Sequence, residues 1–302
     1  MSEPTILFPH GFGDVIQALP AFRAYAAEIG EALRIGVLGR LPACREVLER
    51  QPFVREVFPL QDPWNDFEPA NTWVGFRHGR DAILARHLGA RWVATTPPAD
   101  PCDATLAKAL RVAAELGVTM VASIAPDLRD HLDQAEYHRG QAHSWKRMEA
   151  GSRLAYVHGS SGQPGKDLRA DTLAHLARCS FTRETSPHAD VCDRRPTRVE
   201  TLPVRRSDGT PESVAFHLGA LDEADLFVGI DSGPAHLASL SRAHVAWVFT
   251  STPVAQAVPM HRKVLVYTSG PLRVALGAAY EAWCRSNPAF APGHTLIATE
   301  AW

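Results

Sequence analysis

The stretch ADLFVGIDSGPAHLASL, residues 224–240, decides the fold expected for this chain. Residues 224–228 form a short apolar run that predicts a buried strand, and residues 235–240 predict a helix. The glycines at 229 and 233 predict a sharp turn between the two elements. A strand joined to a helix in this way is the unit from which parallel α/β sheets are built.

The turn itself has the composition of an anion-binding site. Ser232 suits the cap of the following helix, and Pro234 suits its first turn, where a missing N–H is harmless. Free backbone N–H groups and the positive end of the helix dipole would then point at one spot. Asp231 could orient the turn, bind a sugar hydroxyl or cap the helix. His236 fits either a contact with the same anion or a structural hydrogen bond.

The same alternation of strand and helix recurs along the whole chain, which implies parallel sheets with right-handed crossovers. A polar stretch at residues 126–151 predicts a linker that could hold a helix, so we expect two Rossmann-like domains, residues 1–150 and 151–302. Strands are predicted at 5–8, 34–38, 54–58, 91–95, 154–158, 199–204, 224–228, 244–249 and 263–267, and helices at 15–28, 42–50, 80–88, 104–116, 173–179, 211–224, 235–240 and 272–284.

Composition excludes several classes of protein. The chain has 302 residues, 45% of them apolar, and a formal net charge of −2, which does not favour wholesale nucleic-acid binding. Its five cysteines are scattered and odd in number, so neither a disulfide framework nor a zinc ribbon is expected. The sequence shows no signal peptide and no apolar run long enough for a membrane span, and the expected compartment is the reducing cytoplasm.

A first glycine-rich turn, Gly11-Phe12-Gly13-Asp14, follows the first predicted strand. Ligands of open parallel sheets bind beyond the carboxyl ends of strands, and a carboxylate there could take a proton from an attacking hydroxyl. Asp14 fits equally a helix cap, with the glycines only making the turn. The spacing does not match the dinucleotide-binding fingerprint, because Val15-Ile16 follow where that fingerprint requires a third glycine.

A second glycine-rich loop, residues 159–166, follows the predicted strand 154–158. Ser160 and Ser161 offer hydroxyl and N–H groups, and Lys166 offers a point charge suited to phosphate. The loop is not a Walker motif, because Asp167 follows the lysine. A solvated surface loop remains the alternative interpretation, as it does for the arginine-rich segment 194–206, which could also meet an anionic acceptor.

Three segments together resemble the heptosyltransferase-like glycosyltransferases of family 9. GDVIQALPA at residues 13–21 resembles the opening of that family, and HGSS at 158–161 with Lys166 resembles the loop that opens its second domain. Residues 224–238 resemble its nucleotide-phosphate motif. The three segments occur in the family's order and spacing over nearly the whole chain.

The resemblance implies the GT-B architecture, with two Rossmann-like domains facing each other across a cleft and a last helix, 271–285, that packs back on the N-terminal domain. It implies inverting transfer of a hexose or heptose from a nucleotide-diphosphate sugar, with Asp14 as the general base. The donor-binding set is Ser160, Ser161, Lys166, Asp231, Ser232, Gly233, Pro234 and His236, with backbone N–H groups at 232–234, and the acceptor-side loop comprises His10, Gly11, Gly13 and Gln17.

On this interpretation the enzyme needs no metal and no cofactor, since the nucleotide sugar is a co-substrate. The acceptor could be a glycan, a lipopolysaccharide core, a small molecule or a modified nucleic-acid base. Two other functions fit the same segments. One is a nucleotide-sugar epimerase or hydrolase of the GT-B fold, and the other is a non-catalytic nucleotide-sugar-binding module.

Overall fold

The structure is a computed structural model that divides into two compact units, Met1–His131 and Leu132–Trp302. It describes residues 4–39, 41–60, 91–92, 112–113, 116–118, 128–148, 150–161, 166–180, 196–250, 264–269 and 295–299. No helix in these ranges is long and apolar enough to cross a bilayer.

The first unit contains a parallel sheet of four strands in the order β3-β2-β1-β4. The central strand β1 is buried along its whole length, and helix α1 links it to β2. The described elements are β1 Thr5–Phe8, α1 Phe12–Ile29, β2 Leu33–Leu38, α2 Pro42–Glu49, β3 Val54–Leu60 and β4 Arg91–Trp92, and a 3₁₀ turn Arg129–His131 closes the unit.

The second unit contains a parallel sheet of six strands in the order β10-β9-β8-β7-β5-β6. Its core joins one face of this sheet to helix α4 through Leu173, Leu176 and Ala177. The described elements are α3 Gln134–Arg147, β5 Arg153–His158, α4 Ala170–Ser180, β6 Thr197–Thr201, α5 Val214–Asp222, β7 Leu226–Ile230, α6 Gly233–Ala238, β8 His244–Phe249, β9 Leu265–Ser269 and β10 Thr295–Thr299.

The predicted α/β class with two parallel sheets is confirmed. Helix α3 lies inside the stretch expected to be a linker and packs on α5, so it belongs with the second unit. The strand β10 was not predicted. The helices predicted at 80–88 and 272–284, and most of the one at 104–116, lie outside the described residues.

Helices α3 and α5 touch backbone to backbone. A Cβ built on Gly140 of α3 would lie 2.0 Å from the carbonyl oxygen of Phe216, and one on Gly219 of α5 would lie 2.0 Å from that of Tyr137. Only glycine fits at either position. The Tyr137 hydroxyl donates to the Asp222 carboxylate beside this crossing, so the buried acid is paired.

The strand orders place a topological switch point in each sheet. In the second unit the chain leaves β5 for β6 on one side and returns to β7 on the other, and in the first unit β2 and β4 flank β1. Ligands of open α/β sheets bind at such points, beyond the carboxyl ends of the strands. The loops after β1, β5 and β7 therefore stand where binding residues are expected.

Candidate functional site

The loops after β5 and β7 meet because the two strands are neighbours in register, with His158 opposite Gly229. Lys166 Nζ lies 3.1 Å from Asp231 Oδ2, and the two side chains are 19% and 8% exposed. Two residues of the predicted donor-binding set are thus brought together as a largely buried ion pair. The lysine keeps enough exposure for its ammonium to meet a ligand.

His236 approaches the same carboxylate from helix α6. Its Nε2 lies 3.5 Å from Asp231 Oδ1, and its side chain is 5% exposed. The imidazole also packs edge-on against the Trp247 indole, with ring centroids 4.8 Å apart. His236 is therefore enclosed by protein, and its contact with a bound anion stays a prediction. Trp247 is a neighbour of the site that sequence reasoning missed.

Ser232 stands at the predicted N-cap position of α6, but its side chain makes no capping hydrogen bond. Its Oγ is buried and has no hydrogen-bond partner among the described residues. A buried hydroxyl without a partner is costly, which makes this oxygen a candidate contact for a bound molecule. Gly229, predicted to lie in the turn, belongs to β7, because the strand runs on to Ile230.

Backbone donors at this turn are fewer than predicted. Pro234 has no N–H, so within residues 232–234 only Ser232 and Gly233 can donate. The N–H groups of Ala235 and His236 are used inside the protein, at 3.1 and 3.2 Å from the Ser232 carbonyl oxygen. The helix α6 is six residues long, and the predicted anion contact therefore depends mainly on Lys166 and the Ser232 hydroxyl.

The loop after β5 is shaped by a residue that was not predicted to matter. The N–H and Oγ of Ser161 both donate to Asp167 Oδ1, at 2.8 and 3.2 Å. The Ser161 hydroxyl predicted to hold phosphate is thus bonded within the loop, while Ser160 is exposed. An aspartate in a serine- and glycine-rich loop often accepts local hydrogen bonds, and this was the signal available in the sequence.

Close packing fixes the start of this loop. The Leu168 N–H donates to the Gly159 carbonyl at 2.9 Å, and a Cβ on Gly159 would lie 2.2 Å from the Leu168 carbonyl oxygen. Burial lowers the pKa of His158, opposed by a hydrogen bond to the backbone of Ser160 and by the Asp167 charge. The loop therefore leaves β5 in one defined direction.

Asp14 lies in the first turn of α1, which begins at Phe12 rather than at the predicted Val15. The Gly11 N–H donates to Asp14 Oδ2 at 3.3 Å, so the carboxylate caps the helix from its third position. Asp14 is partly exposed, as is Gln17 one turn later on the same face. The structure thus shows a helix-capping contact for Asp14, and its role in proton transfer stays a prediction.

The rest of the predicted acceptor-side loop lies around the end of β1. His10 donates its N–H to the Phe8 carbonyl at 2.9 Å, and its ring packs edge-on against the Phe8 ring. Gly11 is exposed and Gly13 is buried. The pKa of Cys44, in the neighbouring helix α2, is raised to about 12, first by burial and then by the negative charge of Asp14.

The described arginines of the segment 194–206 are bonded to the protein. Arg198 Nε lies 2.8 Å from Glu200 Oε1, and Arg206 donates to Glu136 of α3 at 2.7 Å. Arg205 donates to the Gly209 carbonyl. Arg198 lies in strand β6, so the surface-loop interpretation is wrong there, whereas Arg205 and Arg206 lie after that strand. Within the described ranges no three His, Cys, Asp or Glu side chains cluster as metal ligands would.

No family model and no curated protein matches this chain in sequence. Solved structures do match it in fold. A family 9 glycosyltransferase from Veillonella parvula aligns over 93% of this chain and 89% of its own, with a TM-score of 0.55 at 13% identity. The chain has the fold of heptosyltransferase-like glycosyltransferases.

Two E. coli enzymes extend this finding. The heptosyltransferase WaaC, solved with ADP, aligns over 96% of this chain and 99% of its own, with a TM-score of 0.50 at 14% identity. The ADP-heptose LPS heptosyltransferase II aligns over 87% and 89%, with a TM-score of 0.51 at 12% identity. The resemblance inferred from three short segments is thus confirmed at the level of fold.

Proposed function

We propose that this chain is an inverting, metal-independent glycosyltransferase that moves a sugar from a nucleotide-diphosphate sugar to an acceptor hydroxyl. One observation carries the proposal. A largely buried Lys166–Asp231 pair lies at the switch point of the second sheet, and the buried Ser232 hydroxyl follows Asp231 in the same turn. The fold shared with the family 9 glycosyltransferases supports the same function.

In the proposed donor site, the ammonium of Lys166 and the hydroxyl of Ser232 bind the diphosphate. Negative charge builds on this group as the bond to the sugar breaks. A fixed ammonium in a partly dry site stabilises that charge without reorganising, and its positive charge serves in place of a metal ion. Asp231 accepts hydrogen bonds from sugar hydroxyls through its carboxylate.

Asp14 is the proposed general base. Its carboxylate takes the proton of the acceptor hydroxyl as that oxygen attacks the anomeric carbon and the nucleoside diphosphate leaves. One displacement inverts the configuration at that carbon, and one carboxylate suffices for it. The bond to Gly11 N–H holds the Asp14 side chain in a fixed direction, as a general base requires.

The acceptor is proposed to be a glycan, a lipopolysaccharide core sugar, a small molecule or a modified nucleic-acid base. The described arginines at 198, 205 and 206 are already bonded within the protein. They support no particular choice among these acceptors. From the resemblance to the family 9 glycosyltransferases, the proposed donor sugar is a hexose or a heptose.

Ligand-induced stabilisation tests the donor half of the proposal. Nucleoside diphosphates and their sugars are screened by thermal shift, and a true ligand at 100 times its Kd should stabilise by about 2.7 kcal/mol. Lys166→Ala should abolish this shift, whereas Lys146→Ala, which removes an exposed lysine of α3, should retain it. If no nucleotide stabilises the wild-type protein, the donor assignment is wrong.

Product analysis then separates transfer from the rival activities. The protein is incubated with the stabilising donor, with and without an acceptor mixture, and the sugar is followed by mass spectrometry and NMR. Transfer with inverted configuration supports the proposal. Epimerised or hydrolysed sugar in the absence of acceptor identifies the rival enzyme class, and binding without any product identifies a binding module.

A further inference from the structure

Trp145 of helix α3 is a large aromatic residue that stands in water, with 56% of its surface exposed. Among the described residues, the other exposed large apolar side chain is Val204, which follows the carboxyl end of β6. Trp145 lies at the opposite edge of the sheet, because it contacts Glu223, which shortly precedes the amino end of β7. The proposed donor site does not use this indole.

The Trp145 side chain is held in place by its own N–H. Its Nε1 donates to Glu223 Oε2 at 2.7 Å, and Gln141 Nε2 donates to the other carboxylate oxygen, Oε1, at 2.7 Å. His138 Nδ1 lies 2.9 Å from Gln141 Oε1. The spacing of residues 138, 141 and 145 places them on one face of α3, so polar groups flank the indole. One edge of the ring is thus fixed while more than half of the residue stays open to solvent.

This combination of groups suits a neutral sugar. The face of an aromatic ring carries negative charge density, and the weakly positive C–H groups of a pyranose ring can stack on it. The Glu223 carboxylate, the Gln141 amide and the His138 imidazole can exchange hydrogen bonds with the hydroxyl groups around such a sugar. Because the indole is already held by Glu223, it loses little conformational freedom when a ligand binds.

Charge and size argue against other occupants. The Glu223 carboxylate beside the indole repels a ligand that carries phosphate, which disfavours stacking of nucleotide bases. A stable protein interface covers about 800 Å² on each partner and has an apolar core. Within the described residues Trp145 has no second exposed large apolar side chain at its edge of the sheet. A single indole with polar neighbours matches one sugar ring better.

We propose that Trp145, Glu223, Gln141 and His138 form a surface site for a neutral oligosaccharide. The five residues of β7 separate this edge of the sheet from the turn that holds Asp231, a distance of about 17 Å at about 3.3 Å per residue. The site is therefore distinct from the proposed donor site. The inference goes beyond the proposed function and does not depend on it. The site would hold a glycan chain on the surface of the second unit.

Saturation-transfer NMR with the whole protein tests the site. The probes are cellopentaose and chitopentaose, because their β-linked rings present flat C–H faces. At least one should bind with a Kd on the order of 1 mM, and transfer should be strongest to the ring C–H protons. Trp145→Ala should weaken binding at least about tenfold, and Glu223→Ala, which releases the indole edge, about threefold. Binding of neither probe, or unchanged binding by Trp145→Ala, would overturn the proposal.

Two lysine variants locate the bound sugar. Lys146→Ala removes the exposed charge next to Trp145 and should not change binding of a neutral ligand. Lys166→Ala alters the proposed donor site and should not change it either, so a loss there would mean that the sugar binds at the donor site and would refute the inference. Oligothymidylate that binds through Trp145 and is weakened by Lys146→Ala would reassign the surface to nucleic acid.

Two further measurements keep the inference testable. If Trp145→Ala does not fold by circular dichroism, Trp145→Gln replaces it, because its amide can still donate to Glu223 while the ring is lost, and wild-type binding by this variant would refute the site. Light scattering reports the oligomeric state, and a wild-type dimer that Trp145→Ala dissociates would mean that the indole contacts a second copy instead. A protein that binds oligosaccharide but no nucleotide would refute the proposed function and leave this inference intact.

Discussion

Lys166 Nζ lies 3.1 Å from Asp231 Oδ2, although 65 positions separate the two residues in the chain. The contact exists because β5 and β7 are adjacent while the chain between them travels out to β6 and back. Each residue alone fits a solvated loop or a helix cap. Together they form a largely buried ion pair at a switch point, which is a far more specific sign of a binding site.

Lys166→Met should lower the free energy of unfolding by about 2 kcal/mol, because it leaves the buried Asp231 carboxylate without its ammonium partner. The double variant Lys166→Met/Asp231→Asn should recover part of this loss, because the uncharged amide needs no counterion. Urea titration followed by circular dichroism measures both. A double variant that loses the sum of the two single effects would contradict the pairing.

Asp14→Asn should reduce transfer by about 10²- to 10⁴-fold, because an amide cannot accept the proton of the acceptor. The Asn oxygen can still accept the Gly11 N–H, so the start of α1 and the affinity for donor should be unchanged. Initial rates and calorimetric donor binding report the two quantities. Glu28→Gln, which removes an exposed carboxylate of α1, is the control. Full turnover by the Asp14→Asn variant would exclude Asp14 as the general base.

Gly219→Ala should destabilise the second unit by about 3 kcal/mol, because its Cβ would lie 2.0 Å from the Tyr137 carbonyl oxygen. Helix propensity alone predicts the opposite sign, a gain of about 1 kcal/mol. The sign of the change in the urea midpoint therefore shows whether the clash with the Tyr137 carbonyl oxygen or the higher helix propensity of alanine dominates. Ala135→Gly, at an exposed position of α3, controls for propensity and should cost only about 1 kcal/mol.

Stability should fall as the pH drops below about 6.5, the ordinary pKa of histidine. Burial lowers the pKa of His217 in the folded chain, so below this pH the unfolded chain binds more protons and folding loses free energy. One such group contributes at most about 1.4 kcal/mol per pH unit. Burial also lowers the pKa of His158, which acts in the same direction.

Urea unfolding at pH 7.5, 6.5 and 5.5 measures this slope. His217→Gln should make the dependence on pH shallower, because glutamine does not titrate. His138→Gln, at an exposed histidine of α3, serves as the comparison. If His217→Gln shows the wild-type slope, the buried histidine does not account for the loss of stability in acid.

Much of the fold could be predicted because local patterns agree with it. The strands 5–8 and 244–249 were predicted with the bounds that the structure has, and the helix predicted from residue 211 begins at Val214, capped by Ser213. β10 was missed because its residues, TLIAT, have no strong alternation, and its place depends on pairing with β9. The contact of Gly140 with α5 was equally hidden, since nothing local requires it.

The residues of the candidate site were predicted better than the contacts that they make with one another. Lys166 and Asp231 were both chosen from the sequence, but their pairing depends on the order of strands. Ser161 was assigned to phosphate, although its hydroxyl donates to Asp167, and Ser232 was assigned to a cap that its side chain does not make. Hydroxyl directions depend on rotamers and neighbours, which short motifs do not determine.

The crossing of α3 and α5 also affects how the chain is made. The Tyr137 hydroxyl and its Asp222 acceptor are 85 positions apart. At a synthesis rate of about 5–20 residues per second, α3 leaves the ribosome on the order of 4–17 seconds before its partner exists. During that interval its glycine face has nothing to pack against. The second unit should therefore complete its packing late in translation, and a pause between residues 147 and 222 should prolong exposure to chaperones and proteases.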